Sequence, residues 1–179
     1  RTIMSYTQQG KYQEMMEYLQ EYASVITEGE KLICYCRNMA VDAVIHFYAG
    51  ELREKGIPFE CDMMLPQNIG ISDTDLCKIY GNLLENAVDA VKDLLPENKP
   101  YVKMLTKVKN RKLLIEISNP YSNEIQRREK VFYSTKHEGF GIGTASVAEV
   151  VQRMGGYVVF NTEEGIFKVN IFLPVKTVQ

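Results

Sequence analysis

The sequence has few of the residues that build metal centres and little net charge. Among its 179 residues are two histidines and four cysteines (Cys34, Cys36, Cys61 and Cys77), and no two cysteines form a CxxC pair. A zinc site needs clustered ligands at characteristic spacings, so we expect reduced, buried thiols and no structural metal. The net charge of −2 gives the chain no general attraction to nucleic acid or anionic lipid.

Long hydrophobic runs are also missing. No apolar segment approaches the roughly 18 residues that a bilayer-spanning helix requires, and no secretory signal is visible. The chain starts at Arg1, without a Met, inside a pattern that is typical of a continuing helix. We therefore expect a soluble piece of a longer protein.

Hydrophobic spacing predicts helices first and then a mixture of strands and helices. Apolar residues at three- and four-residue intervals predict a helix from about residue 10, interrupted at Gly29, and a second helix over about residues 30–55. Two consecutive amphipathic helices suggest an antiparallel hairpin. We accordingly predict two domains, a partial helical hairpin over residues 1–56 and a second unit over residues 57–179.

The second unit alternates between the two kinds of pattern. A helix capped by Ser72 or Asp73 is predicted to run to about Leu95, and another to span about residues 144–154. Strands are predicted over residues 57–64, 101–108, 113–118, 157–161 and 167–173. This mixture predicts an α+β fold, a two-layer sandwich with a mixed sheet on one side and helices on the other.

The most informative motif is GNLLENAVDA, over residues 81–90. On a helical wheel its apolar residues fill one half, whereas Asp75, Asn82, Asn86 and Asp89 lie together on the other. Asn82 and Asn86 are one turn apart, where a carboxamide presents a hard oxygen of the kind that Mg²⁺ binds. Asparagine is a poor helix former, so two in register need a reason, but on spacing alone a functional role and a surface helix with two incidental asparagines both fit.

A second motif, GFGIG, stands directly before the predicted helix at 144–154 and contains Gly139, Gly141 and Gly143. Alternating glycines let backbone N–H groups approach an anion, and a helix N-terminus favours negative charge. A phosphate-binding loop and a flexible hinge both fit this pattern. Three polar residues precede the loop: Ser134, Thr135 and Lys136. The lysine suits a terminal phosphate as a point charge, or it is simply solvated.

Together these motifs resemble the GHKL superfamily, which joins gyrase, Hsp90, histidine kinases and MutL. Residues 82–90 resemble its asparagine box, residues 139–143 its second glycine box, and residues 165–174 its closing segment, which ends in LP in histidine kinases. The runs RNMAVDAVIHFYAGELREKGI (37–57) and STKHEGFGIGTASV (134–147) are similar to histidine kinases of the peptide-pheromone quorum-sensing type. The resemblance implies a Bergerat-type ATP-binding fold.

The resemblance also implies roles for individual residues. Asn82 and Asn86 would be catalytic, with Asn86 as the ligand of Mg²⁺ and ATP as the bound nucleotide. Nucleotide contacts are implied for a larger set: Asn82, Asn86, Asp89, Asn119, Ser134, Thr135, Lys136, Gly139, Gly141 and Gly143.

The implied reaction is transfer of the γ-phosphoryl group of ATP to a histidine, and then to a response regulator. Neither His46 nor His137 matches the family's acceptor motif, which the resemblance places upstream of Arg1. The implied partners are a second copy of the chain, through the helical hairpin, and the response regulator, with no nucleic acid. The implied location is the cytoplasmic side of a membrane receptor, joined to the membrane only through N-terminal segments outside this sequence.

The chain departs from the family pattern around the expected base pocket. The first glycine box reads NPYSN over residues 119–123, and Asn119 replaces an aspartate. Its side-chain oxygen still accepts a hydrogen bond from an adenine amino group, but the missing glycines predict a differently shaped, weaker pocket. Ile166 stands where many relatives carry threonine, which is expected to remove a hydroxyl near the base.

Two other functions remain as alternatives. ATP hydrolases of the MutL or gyrase kind place a water-activating glutamate four residues before the Mg²⁺-binding asparagine. That position is Asn82 here, which cannot act as a general base, and Glu85 is expected to point elsewhere because it lies about 100° round the helix from Asn86. The altered first glycine box favours the other alternative, a non-catalytic nucleotide-binding or dimerisation module.

Overall fold

The computed structural model describes residue 17, residues 33–121 and residues 142–176. In these ranges the chain forms three α-helices, five strands and a short 3₁₀ helix (Pro96–Asn98). The helices are α1 (Met39–Glu54), α2 (Asp73–Val91) and α3 (Ile142–Arg153). The strands are β1 (Phe59–Met64), β2 (Val102–Lys109), β3 (Lys112–Pro120), β4 (Tyr157–Glu163) and β5 (Ile166–Pro174).

The five strands form one mixed sheet in the order β1-β2-β3-β5-β4. The β1–β2 pair is parallel, whereas the β2–β3, β3–β5 and β4–β5 pairs are antiparallel. The α+β prediction is therefore confirmed: a mixed sheet forms one layer and helices form the other.

The sheet has one buried face and one charged face. On β3, Leu113, Ile115 and Ile117 are buried, and they and their partners across the sheet form what we call the helix-facing side. On the opposite side Lys103 pairs with Glu60 (2.9 Å), and a second cross-strand ion pair joins Lys168 to Glu116 (2.9 Å). Lys103 and Glu60 stand directly opposite each other and Lys168 and Glu116 are diagonal neighbours, an arrangement that suits a solvated sheet face. The described helices accordingly pack on the other side of the sheet.

Helix α2 begins where the sequence predicts and ends slightly earlier. The Ser72 hydroxyl accepts a hydrogen bond from the Asp75 backbone N–H (3.1 Å) and caps the helix. Leu95 is extended because it precedes Pro96, and the residue before a proline is pushed out of the helical region. The helix therefore ends at Val91 instead of near residue 95.

Helix α1 begins later than the predicted residue 30. Its N-cap is Asn38, whose side chain accepts from the Val41 N–H at 2.9 Å. The residues before it are held outside the helix, because one Asp42 carboxylate oxygen accepts from the backbone N–H groups of Tyr35 (2.8 Å) and Cys36 (3.0 Å). This local ladder replaces the helical bonds that the sequence pattern predicts there.

Helix α1 shares a hydrophobic core with α2 and the sheet. Its residues Val41, Val44, Ile45 and Leu52 are fully buried in that core. Apart from residue 17, the predicted first helix lies outside the described residues. The helical hairpin and the domain boundary at residue 56 therefore stay predictions.

The four cysteines are free. Burial raises the pKa of the Cys36, Cys61 and Cys77 thiols to about 12, so these thiols stay protonated at neutral pH. In the part of the chain that the structure describes, no helix is long and apolar enough to cross a bilayer.

Candidate functional site

Helix α2 carries a polar stripe through an otherwise apolar interior. Because α1 and α3 both pack against α2, most of its circumference is buried, including Asn82 (5% exposed) and Glu85 (9% exposed). Asn82, Glu85, Asn86 and Asp89 fall within about 100° of arc on the helical wheel. Buried polar groups are costly unless they are matched, so the buried part of this stripe indicates a site, whereas Asp89 lies exposed at its end.

Asn82 is oriented by its own helix. Its amide nitrogen donates to the backbone carbonyl of Lys78 at 2.6 Å. This bond uses the amide nitrogen and leaves the carboxamide oxygen to accept a hydrogen bond or a cation. Asn82 thus adds a fixed acceptor to the stripe and, lacking a titratable group, cannot withdraw a proton from water.

Asn86 has a polar atom that the described residues do not match. Its amide nitrogen is buried and has no hydrogen-bond partner among them. Such a group costs about 1–3 kcal/mol and needs an explanation in a native structure, which a ligand at this position would supply. The other end of the same amide is a hard oxygen of the kind that Mg²⁺ accepts.

The donor set around Asn86 fits Mg²⁺ better than a metal held entirely by protein. In the described ranges, no three His, Cys, Asp or Glu side chains are grouped to hold a metal. Magnesium commonly uses one or two protein oxygens and completes its shell with phosphate and water. A single carboxamide beside a polar stripe meets that requirement, provided that a phosphate group arrives with the cation.

Glu85 faces helix α1 and the carboxylates around it. Burial, followed by the negative charges of Asp89 and Glu51, raises the pKa of the Glu85 carboxyl to about 7, against the opposing effect of Lys92. Its Oε2 atom is buried without a partner among the described residues. The Tyr48 hydroxyl of α1 is buried and unmatched in the same way, and burial and the Glu85 charge raise its pKa.

Asp89 lies at the exposed end of the stripe. It accepts a hydrogen bond from the Lys92 ammonium at 2.7 Å, and its charge raises the pKa of both Glu85 and Glu51. Its predicted contact with a nucleotide stays a prediction. Because Asp89 already pairs with Lys92, a nucleotide that contacts Asp89 would have to share its carboxylate with the Lys92 ammonium.

Asn119 is buried at the end of β3 on the helix-facing side, with 1% of its surface exposed. Its amide nitrogen donates to the carbonyl of Pro120 at 2.9 Å. Proline keeps the preceding residue extended and contributes no N–H of its own at this strand end. The sequence therefore fixes both the backbone and the amide of Asn119.

The residue next to Asn119 in the sheet is Phe167, not Ile166. Asn119 stands opposite Phe167, whereas Ile166 stands opposite Pro120 and Glu163. Successive strand residues point to opposite faces, so Ile166 lies on the other side of the sheet. Asn119 and Ile166 therefore do not share a face of the sheet, and the expected loss of a hydroxyl near the base at Ile166 stays a prediction.

Phe167 and Thr162 were not among the residues predicted for the site. Thr162 of β4 stands opposite Phe167, so Asn119, Phe167 and Thr162 form one row on the helix-facing side. The alternation in β5 already places residue 167 on the buried face, and that signal identifies Phe167. Thr162 becomes visible only when the pairing of β4 with β5 is known.

The predicted glycine loop falls partly outside the described residues. Ser134, Thr135, Lys136, Gly139 and Gly141 lie outside them, and the predicted contacts of these five residues with phosphate stay predictions. Gly143 lies in the first turn of α3, which begins at Ile142. The glycine motif therefore runs directly into a helix N-terminus, the arrangement that favours anions.

Helix α3 is fixed to α2 at its far end. Arg153 forms an ion pair with Asp75 in the first turn of α2, and Val147, Val150 and Val151 are buried in the core. The segment that follows the glycine motif is thus held against the helix that carries the polar stripe.

Comparison with known families identifies the domain type. A family model described as the GHKL domain matches residues 71–174, more than half of the chain. Sensor protein CitS of Bacillus subtilis (strain 168) is 26% identical over 183 aligned residues, which cover 96% of this chain and 33% of CitS. The chain therefore spans about a third of the length of this curated relative.

Solved structures share the fold at low sequence identity. The nucleotide-free catalytic domain of histidine kinase ThkA matches at a TM-score of 0.56 and 18% identity, over 76% of this chain and 92% of ThkA. Full-length ShkA in complex with AMPPNP matches at a TM-score of 0.55 and 20% identity, over 78% of this chain and 30% of ShkA. The Acinetobacter baumannii histidine kinase AdeS matches at a TM-score of 0.53 and 13% identity, over 92% of this chain and 79% of AdeS. At these identities the likeness shows the fold alone.

Proposed function

The chain belongs to the GHKL domain family, and from this premise we propose that it is the ATP-binding catalytic core of a two-component sensor histidine kinase. The observation that carries the proposal is the polar stripe of α2, where Asn82 and Asn86 lie one turn apart. The buried, unmatched amide of Asn86 is what a ligand-binding residue without its ligand would show. The similar proteins support this function. CitS is named a sensor protein, ThkA and AdeS are named histidine kinases, and ShkA was crystallised with AMPPNP.

The residues divide the work of holding Mg²⁺ and ATP. Asn86 supplies a carboxamide oxygen to the cation, Asn82 supplies a second acceptor beside it, and Asn119 accepts from the base. The backbone N–H groups at the start of α3 would face the phosphates, and the contact of Lys136 with them stays a prediction. A bound Mg²⁺, held by the Asn86 carboxamide oxygen, would supply neutralisation of the phosphate charge.

Phosphoryl transfer suits this set of residues better than hydrolysis. Transfer needs little covalent chemistry from the protein, because positioning and charge neutralisation supply most of the catalysis. Hydrolysis needs a base to activate water, and the side chain at position 82 is an amide. Glu85 lies near Tyr48 and Glu51 of α1, whose influence is felt in the raised pKa values of Glu85 and Tyr48.

The phosphate acceptor of this proposal is a histidine upstream of the sequence. His46 is packed into the structure: its imidazole lies 3.4 Å from the Asp42 carboxylate, and its ring meets Tyr35 edge-on at 5.0 Å between centroids. Those contacts give His46 a structural role. His137 lies outside the described residues.

The proposal extends to the whole receptor. The parent protein is a membrane-bound sensor of the peptide-pheromone quorum-sensing type, with this core on the cytoplasmic side. It forms a homodimer through a helical hairpin and passes the phosphoryl group to a response regulator. The resemblance of residues 37–57 and 134–147 to that receptor type supports this finer assignment.

Binding of Mg²⁺–ATP tests the function most simply. We expect Asn86→Ala to lower the affinity for ATP at least tenfold in the presence of Mg²⁺, because the substitution removes the cation's protein ligand. The matched control is Asn98→Ala, at an exposed asparagine of the 3₁₀ helix, which should bind as the wild type does. Calorimetric titrations of all three proteins, each with an unchanged thermal midpoint, measure this. Equal affinities for wild type and Asn86→Ala would rule the assignment out.

A further inference from the structure

The hairpin that joins β2 to β3 is strongly basic. Residues 107–112 read KVKNRK, with four positive charges and no acidic residue. The four basic side chains are all exposed: Lys107, Lys109, Arg111 and Lys112. A short basic run can be no more than a solvated turn, so the residues around the hairpin decide whether it has a partner.

The backbone at the tip of this hairpin is fixed. Asn110 and Arg111 both have a positive φ (51° and 58°), as in the two-residue type I′ turn that fits the twist of paired strands. Lys109 pairs with Lys112 directly below the turn, and the Arg111 carbonyl accepts from the Val175 N–H at 2.9 Å. The basic side chains therefore extend from an ordered edge of the sheet.

Exposed apolar side chains lie beside this basic tip, on the side of the sheet away from the described helices, which we call the open face. The row of the open face next to the Lys109–Lys112 pair crosses all five strands: Met64, Lys107, Leu114, Phe172 and Tyr157. Met64 is 62% exposed and Tyr157 is 59% exposed. The Tyr157 ring stacks on that of Phe172 at 4.7 Å between centroids. The tip thus combines positive charge with an apolar and aromatic row.

The charges around this edge are mainly positive. Asp62 lies 3.7 Å from Lys107 and offsets one of them. Glu60 and Glu116 lie farther from the tip along their strands and are already paired across the sheet. Lys176, just after β5, adds another exposed positive charge. A second copy of the chain would present the same charges and be repelled, so the edge fits a negative partner.

An anionic membrane surface matches both parts of this edge. Anionic headgroups attract lysine and arginine, and tyrosine favours the boundary between the headgroups and the acyl chains. The row is about 19 Å wide, from four strand spacings of about 4.8 Å, and it belongs to a sheet face. That breadth suits an extended surface better than a narrow ligand.

We propose that the β2–β3 hairpin and the apolar row beside it dock on anionic membranes. Lys109, Arg111 and Lys112 contact the headgroups, while Tyr157 and Met64 enter the boundary above the acyl chains. The attraction is local, because the chain as a whole carries a net charge of −2. The inference goes beyond the proposed function and does not depend on nucleotide binding.

Co-sedimentation of the 179-residue chain with lipid vesicles tests the charged part of the surface. The chain should bind vesicles of phosphatidylglycerol and phosphatidylcholine at least about tenfold better than vesicles of phosphatidylcholine alone, and added salt should weaken this binding. The double substitution Lys109→Glu and Lys112→Glu should remove most of the difference. Its matched control is Lys55→Glu with Lys99→Glu, which makes the same change in net charge at two exposed lysines outside the hairpin.

A single substitution tests the apolar part. Tyr157→Ser should lower binding to the mixed vesicles about threefold or more, because it removes an aromatic ring from the lipid boundary. The matched control is Leu95→Ser, at a leucine that is also 59% exposed but lies after α2, and it should bind as the wild type does. Thermal unfolding of every variant shows whether a lost affinity reflects a lost fold.

Several results would overturn the proposal. Equal binding to charged and uncharged vesicles would do so, as would equal losses in the hairpin variant and its Lys55–Lys99 control. Unchanged binding by Tyr157→Ser would mean that charge alone explains the attraction and that no side chain enters the lipid. Dimerisation without vesicles, abolished by Tyr157→Ser in sedimentation analysis, would assign the surface to a second copy instead. None of these results bears on nucleotide binding, which Asn86→Ala tests separately.

Discussion

Two buried tyrosines of this domain differ in one respect, whether the hydroxyl is hydrogen-bonded. The Tyr80 hydroxyl lies 3.0 Å from that of Thr106, whereas the Tyr48 hydroxyl has no partner among the described residues. Removing a matched hydroxyl leaves a buried partner unsatisfied, but removing an unmatched one relieves a desolvation cost. Comparing the two tyrosines therefore measures the free-energy cost of a buried hydroxyl that has no hydrogen bond.

We predict opposite effects of the same substitution at these two positions. Tyr80→Phe should lower the free energy of unfolding by about 1–2 kcal/mol, whereas Tyr48→Phe should leave it unchanged or raise it by up to about 1 kcal/mol. Urea unfolding of the two variants without nucleotide measures this. Equal losses in both would show that Tyr48 has a partner outside the described residues.

Glu85 gives the fold a pH dependence of defined sign. Its pKa is about 7 in the folded protein and near 4.3 in an unfolded chain, so between these values the folded state binds more protons. The free energy of unfolding should therefore fall as pH rises from 5 to 7.5, by an amount on the order of 2 kcal/mol. Urea midpoints across this range should flatten in Glu85→Gln. An unchanged slope in that variant would assign the effect to other groups.

At the scale of single elements, the start of α1 depends on contacts distant in sequence. The Asn38 side chain caps the helix and also donates to the carbonyl of Gln67 (3.0 Å) and to a carboxylate oxygen of Asp73 (2.9 Å). These bonds tie the N-terminus of α1 to the loop before α2 and to the first turn of α2. One side chain therefore sets both where the helix begins and where it sits.

Loss of this cap should be costly. Asn38→Ala should lower the free energy of unfolding by about 2 kcal/mol, because a helix cap alone contributes about 1 kcal/mol and buried partners would also lose their bonds. Asn98→Ala, at an exposed asparagine, should change it by less than about 0.5 kcal/mol. Thermal unfolding of both variants checks this, and a similar small effect at the two sites would contradict the assigned role of Asn38.

Local sequence patterns predicted those elements whose ends are set by neighbouring residues, and failed for those whose ends depend on residues distant in sequence. Helix α2 follows from its Ser72 cap, its apolar spacing and Pro96, all of which are local. The start of α1 was missed because apolar spacing continues upstream of Asn38, and its cap is fixed by Gln67 and Asp73. In β5 the alternation of the sequence already places Phe167 on the helix-facing side, but that it stands opposite Asn119 is visible only from the pairing of β5 with β3.

At the scale of the whole domain, layering explains where the site lies. The sheet is covered by helices on one side and carries cross-strand ion pairs on the other. Helix α2 lies between α1 and α3, so most of its polar stripe is buried. One carboxylate oxygen of Glu85 and the amide nitrogen of Asn86 have no hydrogen-bond partner among the described residues. The asparagine motif predicts roles for Asn82 and Asn86 that stay predictions, while the burial of their amide groups could be seen only in the assembled fold.

The measurement that tests the proposed function most directly is transfer of label from γ-labelled ATP in a longer form of the protein that includes the proposed upstream histidine. Wild type and Asn98→Ala should both incorporate label on that histidine, and Asn86→Ala should incorporate at least tenfold less. The present 179-residue chain alone should incorporate none. Label on His46 or His137 of this chain, or undiminished labelling in Asn86→Ala, would contradict the assignment of α2 as the nucleotide-binding helix of a histidine kinase.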